Sequence, residues 1–134
     1  MSQNSTYLCL DVGERRIGVA VGDVGVRIAV PLATIDVDGN ELKEIARLYL
    51  HEQAKAIVVG YPRNQSGEAT AQTAYVEAFA QQLQEFAEVI YQDESLTSVL
   101  AEQQLVRSKK PYTKADVDAQ AAALILQDFL EATT

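Results

Sequence analysis

Residues 7–22 read YLCLDVGERRIGVAVG, and this stretch sets the terms for the rest of the chain. Tyr7 to Leu10 is a run of strand formers apolar on both alternating faces, so it predicts a central strand covered by a layer on each side. The run ends in Asp11, an acid at the rim of a core. Gly13 lets the backbone turn, Glu14-Arg15-Arg16 marks a tip in water, and Ile17 to Val21 returns as the second strand of a hairpin. Asp11 is therefore expected to point into an open end of the sheet, where it stays ionised. Two readings of it stand side by side: an acceptor for turn hydrogen bonds, as Asp often is beside Gly, or a carboxylate put to chemical use.

Beyond the hairpin, Val26 to Val30 predicts a third strand closed by Pro31. Residues 40–52 predict a helix with Leu42, Ile45, Ala46 and Tyr49 on one face. Ala56 to Gly60 predicts a buried strand parallel to the first. The turn-rich loop from Tyr61 to Gly67 carries Arg63 and Asn64, and open α/β sheets gather binding loops there, outside the carboxyl ends of parallel strands. Residues 69–87 predict a helix crossing back over the sheet, with Val76, Phe79, Ala80, Leu83 and Phe86 on one stripe. Val89 to Tyr91 predicts a last short strand, ending in Gln92-Asp93-Glu94-Ser95-Leu96-Thr97. Adjacent strand residues point to opposite faces, so one of Asp93 and Glu94 faces the site, and the pattern leaves open which.

A helix over residues 96–106 and a basic connection, RSKKPY at 107–112, lead to the final helix. Thr113 and Asp116 have the spacing of a capping box, the hydroxyl as cap and the acid at the third helical position. Helical geometry then separates two nearby acids. Asp116 shares its stripe with Gln120, Gln127 and Glu131, a solvated face. Asp118 shares its stripe with Ala121, Ala122, Ile125 and Phe129, the face that packs on the sheet. Burying a lone carboxylate costs several kcal/mol unless it is paired or bound to a cation. Asp118 is thus read as the functional acid and Asp116 as the cap.

Composition bounds the rest. The 134 residues are 48% apolar, enough for one ordinary core, and a single domain over residues 1–134 is expected, with no repeat, linker or low-complexity segment. The one cysteine, Cys9, lies inside the first strand, which rules out a disulfide within the chain and suits a reducing compartment. The opening MSQNST lacks a basic segment followed by an apolar one, and no apolar run approaches the roughly 20 residues that span a bilayer. A cytoplasmic protein with no membrane partner is expected. The net charge of −8 argues against general affinity for phosphates. Eight of the eleven basic residues (Arg15, Arg16, Arg27, Arg63, Arg107, Lys109, Lys110 and Lys114) nevertheless fall in or beside predicted loops and helix ends. A basic rim on an acidic body fits that placement.

Three acids, from the first strand, the end of the last strand and the final helix, are placed to meet at one edge. Like charges brought close raise at least one pKa unless a divalent cation neutralises them. Carboxylates with open positions suit Mg²⁺ or Mn²⁺, hard ions that also take phosphate oxygens. The sole histidine, His51, ends an outer helix, so neither a zinc set nor a histidine-based triad is available. Two such cations about 4 Å apart would activate a water and stabilise the leaving oxygen in phosphodiester hydrolysis.

These residues resemble a known family over nearly the whole chain: the YqgF/RuvX-type pre-16S rRNA nucleases, also called Holliday junction resolvase-like proteins, of the RNase H-like superfamily. LDVGERRIGVAVGD looks like that family's opening motif, and IVVGYPRNQSG looks like its Val-Gly-x-Pro-x-Asn segment. DESLTS and VDAQAAALILQDFL resemble its Asp-Glu-Arg-Leu-Thr segment and its closing helix. The resemblance implies an RNase H-like α/β fold, a mixed five-stranded sheet with helices on both faces. It also implies a metal-binding catalytic triad of Asp11, Glu94 and Asp118, which chooses Glu94 over Asp93. Arg16, Arg63, Asn64 and Lys114, each beside one of the motifs, are expected along the nucleic-acid path. The implied activity is hydrolysis of RNA at the 5′ end of pre-16S rRNA in ribosomal precursor particles. Cleavage of branched DNA, and a non-catalytic nucleic-acid-binding module of the same fold, are the alternatives. An actin-like ATPase shares the Asp-x-Gly hairpin but needs a second domain. Ser95 departs from the family's usual Arg, and Arg63 is the candidate substitute. Monomer and homodimer are both open.

Overall fold

The computed structural model describes residues 5–62, 70–94 and 97–132. Strands β1 (Thr6–Val12), β2 (Arg16–Asp23) and β3 (Ile28–Asp36) form an antiparallel meander. Helix α1 (Glu41–His51) leads to β4 (Ala56–Pro62), and α2 (Ala71–Leu83) leads to β5 (Val89–Glu94). Helices α3 (Thr97–Ser108) and α4 (Lys114–Ala132) close the chain. The sheet order is β3-β2-β1-β4-β5, with β4 parallel to both β1 and β5. It is the mixed five-stranded sheet that the resemblance implies. The central strand is β1, whose residues face helices on both sides.

Strand alternation divides the core into two layers. Leu8, Leu10 and Val12 pack with Ile17, Val19, Ile57 and Val59 under Ile45 and Leu48 of α1 and Val76, Phe79 and Leu83 of α2. Tyr7 and Cys9 face the other way, joining Ala20, Ala56 and Val58 under Ala122, Ala123, Ile125, Leu126 and Leu130 of α4. Phe129 adds a tilted contact with Tyr7, ring centres 5.0 Å apart. On this second face β2 presents Gly18, Ala20 and Gly22 in alternation, so α4 lies close to the strand. A Cβ on Gly22 would stand 2.9 Å from Leu130 Cδ1.

Helix α4 is fastened to the edge strand at both ends. Thr34 Oγ1 donates to the Ala115 carbonyl at 2.6 Å. Gln127 accepts from the Ala29 amide and donates to the Arg27 carbonyl, each at 2.9 Å. Gln127, expected on a solvated face, thus works against the sheet edge. The predicted capping box is formed: the Thr113 amide donates to Asp116 Oδ2 at 2.8 Å and the Asp116 amide to Thr113 Oγ1 at 3.3 Å.

The strands run longer than expected, β4 for one continuing through Tyr61 and Pro62 where a loop was expected, and two of the differences have a clear cause. The third strand runs from Ile28 to Asp36 with Pro31 inside it, because β3 is an edge strand, where a missing amide donor is tolerated. The pairing also shifts register there, Val19 facing Ala33 and Ala20 facing Pro31. The last strand runs on through Gln92, Asp93 and Glu94, which pair with Gly60, Tyr61 and Pro62 of β4. Parallel pairing with β4 carries that polar end further than its composition suggests.

The capping box gives a stability prediction. Asp116→Ala leaves the Thr113 amide without its carboxylate acceptor and removes a negative charge from the first turn of α4, costing about 1 kcal/mol. Urea unfolding measures the loss, and Thr113→Ala combined with it should cost less than the sum of the two, since both act through one motif.

Candidate active site

Asp11 is the second-last residue of β1 and pairs across the hairpin with Gly18. Cross-strand partners point to the same face, and Gly18 faces α4. A Cβ on Gly18 would overlap the Asp118 carbonyl, so only glycine lets the first turns of α4 rest on the strand at this point. Asp118 is thereby set beside Asp11 although the two are far apart in sequence. Asp11 is half-buried, and Asp11 and Asp118 line one cleft of about 290 Å³ together with Val12, Gly13, Arg16, Pro62 and Gln72. An adjoining hollow of about 360 Å³ continues past Glu14 and Arg15 at the hairpin tip. A larger hollow, about 460 Å³, lies beside α3 between Glu102, Gln103, Val106, Arg107 and Tyr112. It gathers a single carboxylate and lies apart from the hairpin, so the smaller cleft, with two carboxylates, is the candidate site.

The hairpin tip is built for its turn. The Gly13 amide donates to the Arg16 carbonyl at 3.1 Å, and a Cβ on Gly13 would come within 2.7 Å of that oxygen. Arg16 then projects on the α4 face, where its Nε donates to Asp118 Oδ2 at 2.6 Å, the side chains 34% and 26% exposed. The Asp118 carboxylate, bonded and close, is the chief cause of the raised pKa of Arg16, and Asp36 adds to it. Lys114, exposed, begins α4 one turn before Asp118 and so shares its stripe.

On β5 the backbone of Asp93 and Glu94 pairs with Tyr61 and Pro62 of β4. Ile90 belongs to the α4-side core and Val89 to the other, so alternation places Asp93 on the side away from α4. Asp93 is exposed there, opposite Tyr61. Tyr61 makes a tilted contact with Tyr91, ring centres 4.8 Å apart, and donates to Glu77 Oε2 at 2.5 Å. Burial, with the Glu77 charge behind it, raises the pKa of the Tyr91 phenol. Position 94 lies two strands from Asp11, roughly 10 Å across the sheet at ordinary strand spacing. Among the described residues, no three His, Cys, Asp or Glu are gathered closely enough to hold a metal ion. The donors that the cleft does offer are carboxylate oxygens, which suit a hard divalent ion. Arg63, Asn64 and Ser95 lie outside the described residues.

Two contributors escape the sequence reading. Gln72, in the first turn of α2, lines both hollows and donates to the Val12 carbonyl at 3.2 Å. Thr70 and Thr73 cap that turn reciprocally, and Thr73 Oγ1 donates to the Pro62 carbonyl at 2.6 Å. Gly18 is the other, and its signal was present: small residues at alternate positions of GVAVG mark a strand face pressed by a helix.

Comparison with known proteins agrees with this architecture. The chain matches the family described as "RuvX: Holliday junction resolvase" over residues 5–132. A Chloroflexus aggregans protein named "Putative pre-16S rRNA nuclease" is 44% identical over 133 residues, covering 95% of this chain and 94% of its own. A Synechocystis protein of the same name is 37% identical, covering 98% and 90%. Among solved structures, the fowlpox virus Holliday junction resolvase superposes with a TM-score of 0.58 at 13% identity, covering 95% of this chain and 99% of its own. Thermus thermophilus RuvC in complex with a Holliday junction substrate gives 0.56 at 17% identity, covering 95% and 94%. At such identities the likeness is one of fold, and that fold is RNase H-like.

Gly18→Ala tests the geometry directly. The added methyl must push α4 off the strand, an overpacking change that costs about 1–3 kcal/mol or more. Thermal melting should fall accordingly, while Gly25→Ala, in the exposed β2–β3 turn, should cost less.

Proposed function

Because the chain belongs to the RuvX family of nucleases, we propose that it hydrolyses RNA phosphodiester bonds in a divalent-metal-dependent reaction, maturing the 5′ end of pre-16S rRNA during ribosome biogenesis. The observation that carries this reading is the meeting of Asp11 and Asp118 in one cleft at the open edge of the sheet, beside Arg16. Mg²⁺ or Mn²⁺ bound there would supply an activated water and neutralise charge on the leaving oxygen. Asp11, Asp118 and Glu94 are its proposed ligands. Asp11 stands on the central strand and Asp118 on a helix fixed to that sheet, so neither carboxylate depends on a loop for its place.

Arg16 and Lys114 are the proposed phosphate contacts on the α4 side, and Arg63 and Asn64, outside the described residues, are proposed as further contacts from their sequence motif. Gln72 can orient a phosphate or a water by its amide. The relatives' names favour RNA as substrate. The family description favours branched DNA, and that second reading is separated from the first by assay. A 5′-extended ribosomal RNA fragment and a synthetic four-way DNA junction, each offered with Mn²⁺, should give cleavage of the RNA. Cleavage of the junction alone would replace the proposed substrate.

The carboxylates give opposed expectations for neighbours on one helix. Asp11→Asn and Asp118→Asn should each lower RNA cleavage more than about 100-fold, a larger loss than outer partners of a metal ligand show. Their melting should stay within about 1 kcal/mol of wild type, since both groups are partly solvated. Asp116→Asn should keep its activity. Undiminished cleavage by Asp11→Asn would remove Asp11 from the mechanism, and inactive Asp116→Asn would mean that the wrong acid of α4 has been assigned.

A further inference from the structure

The ion pair in the cleft poses a problem of competition. Asp118 has an oxygen 2.6 Å from the Arg16 guanidinium, and the same carboxylate is asked to hold a divalent cation. A cation at that carboxylate would stand against a guanidinium of like sign. The two therefore compete for one carboxylate, in a cleft that Asp11 also lines.

The surroundings of Arg16 provide for its release. Its backbone is held by the Gly13 bond at the turn, and the neighbouring Arg15 carbonyl accepts from the Val37 amide at 2.9 Å, so exchange needs side-chain rotation alone. Asp36 stands directly opposite Arg16 in the β2–β3 register, on the same face. Cross-strand partners of this kind lie within side-chain reach. Arg16 also lines both hollows of the cleft, where a phosphate would arrive, and a guanidinium fork matches phosphate geometry.

We propose that Arg16 is an exchangeable counter-ion. Without a cation it neutralises and orients Asp118. When a divalent cation takes Asp118, Arg16 is displaced and turns to a nucleic-acid phosphate, with Asp36 as its resting partner until one arrives. The role rests on the reading of Asp118 as a cation ligand. It makes Arg16 a residue that weakens cation binding and strengthens nucleic-acid binding, and a merely structural role would not split the two in sign.

Calorimetric titration with Mn²⁺, in the absence of nucleic acid, tests the first half on wild type, Arg16→Gln, Arg16→Lys and Asp118→Asn. Arg16→Gln should bind Mn²⁺ about 5- to 10-fold more tightly, a coupling of ordinary size, with Arg16→Lys between it and wild type. Fluorescence anisotropy with single-stranded RNA in Ca²⁺ tests the second half. Arg16→Gln should bind RNA more weakly, its salt slope lower by about one. If Asp118→Asn loses Mn²⁺ affinity while Arg16→Gln matches or falls below wild type, the counter-ion role is overturned and the site reading stands. If Asp118→Asn binds Mn²⁺ as wild type does, the ligand reading falls and the counter-ion role with it. Melting curves accompany both titrations, and if Arg16→Gln fails to fold, Arg16→Lys carries the same comparison.

Discussion

The architecture depends on one close approach, the seating of helix α4 on strand β2 at Gly18. There the helix backbone at Asp118 occupies the space that any side chain at position 18 would need. Since Gly18 pairs with Asp11, the same contact that packs the helix brings the two carboxylates into one cleft. Their separation is fixed by a strand pairing and a helix seat. Both are regular structure in which backbone hydrogen bonds leave little freedom, as a preorganised site requires.

The two faces of the sheet are packed on different principles, and the site follows from the difference. Under α1 and α2 the strands supply large side chains, Leu8, Leu10, Ile17, Ile57 and Val59. Under α4, strand β2 is stripped to Gly18, Ala20 and Gly22, with Cys9 and Ala56 beside them, and the helix supplies much of the bulk through Ile125, Leu126 and Leu130. Close-packed interiors reward such complementarity. A helix held this near the sheet can present a short side chain such as Asp to the strand ends, whereas a helix riding on large side chains would need a longer one. The bonds from Thr34 and Gln127 to the edge strand hold the approach at both ends of α4.

Much of this was legible in the sequence. The hairpin around Gly13, the central strand ending in Asp11, the Thr113–Asp116 capping box and the inward stripe of Asp118 all follow from local rules of turn, pattern and cap. What sequence reasoning missed are consequences of tertiary pairing. Pro31 reads as a terminator until β3 is known to be an edge. Gln127 reads as solvated until that edge is known to pass beside α4. Gln72 reads as an ordinary helical residue, because only the fold brings the first turn of α2 to the end of β1. The length of β5 also needed a partner: its pairing with β4 continues through Gln92, Asp93 and Glu94, three residues past Tyr91, while the choice of Glu94 over Asp93 rests on the family resemblance. For Arg16, the hairpin tip predicted a charge in water, and its bond to a carboxylate 102 residues away could not be read locally.

Charge has to be argued by distance. The chain carries −8 overall, which at physiological salt is felt weakly beyond a Debye length of about 8 Å. Within that range the cleft is a local balance of Asp11 and Asp118 against Arg16, with Lys114 a helical turn from Asp118. An acidic body discourages phosphate backbones from settling elsewhere on the surface, since non-specific affinity rises with the number of basic contacts. A few cations at the cleft then matter more than they would on a basic protein, because they are the contacts that remain when the rest of the surface repels. On the nuclease reading, the low overall affinity and the concentrated local charge work together: binding is weak where no chemistry can follow, and the groups that attract the phosphate stand beside the groups proposed to cleave it.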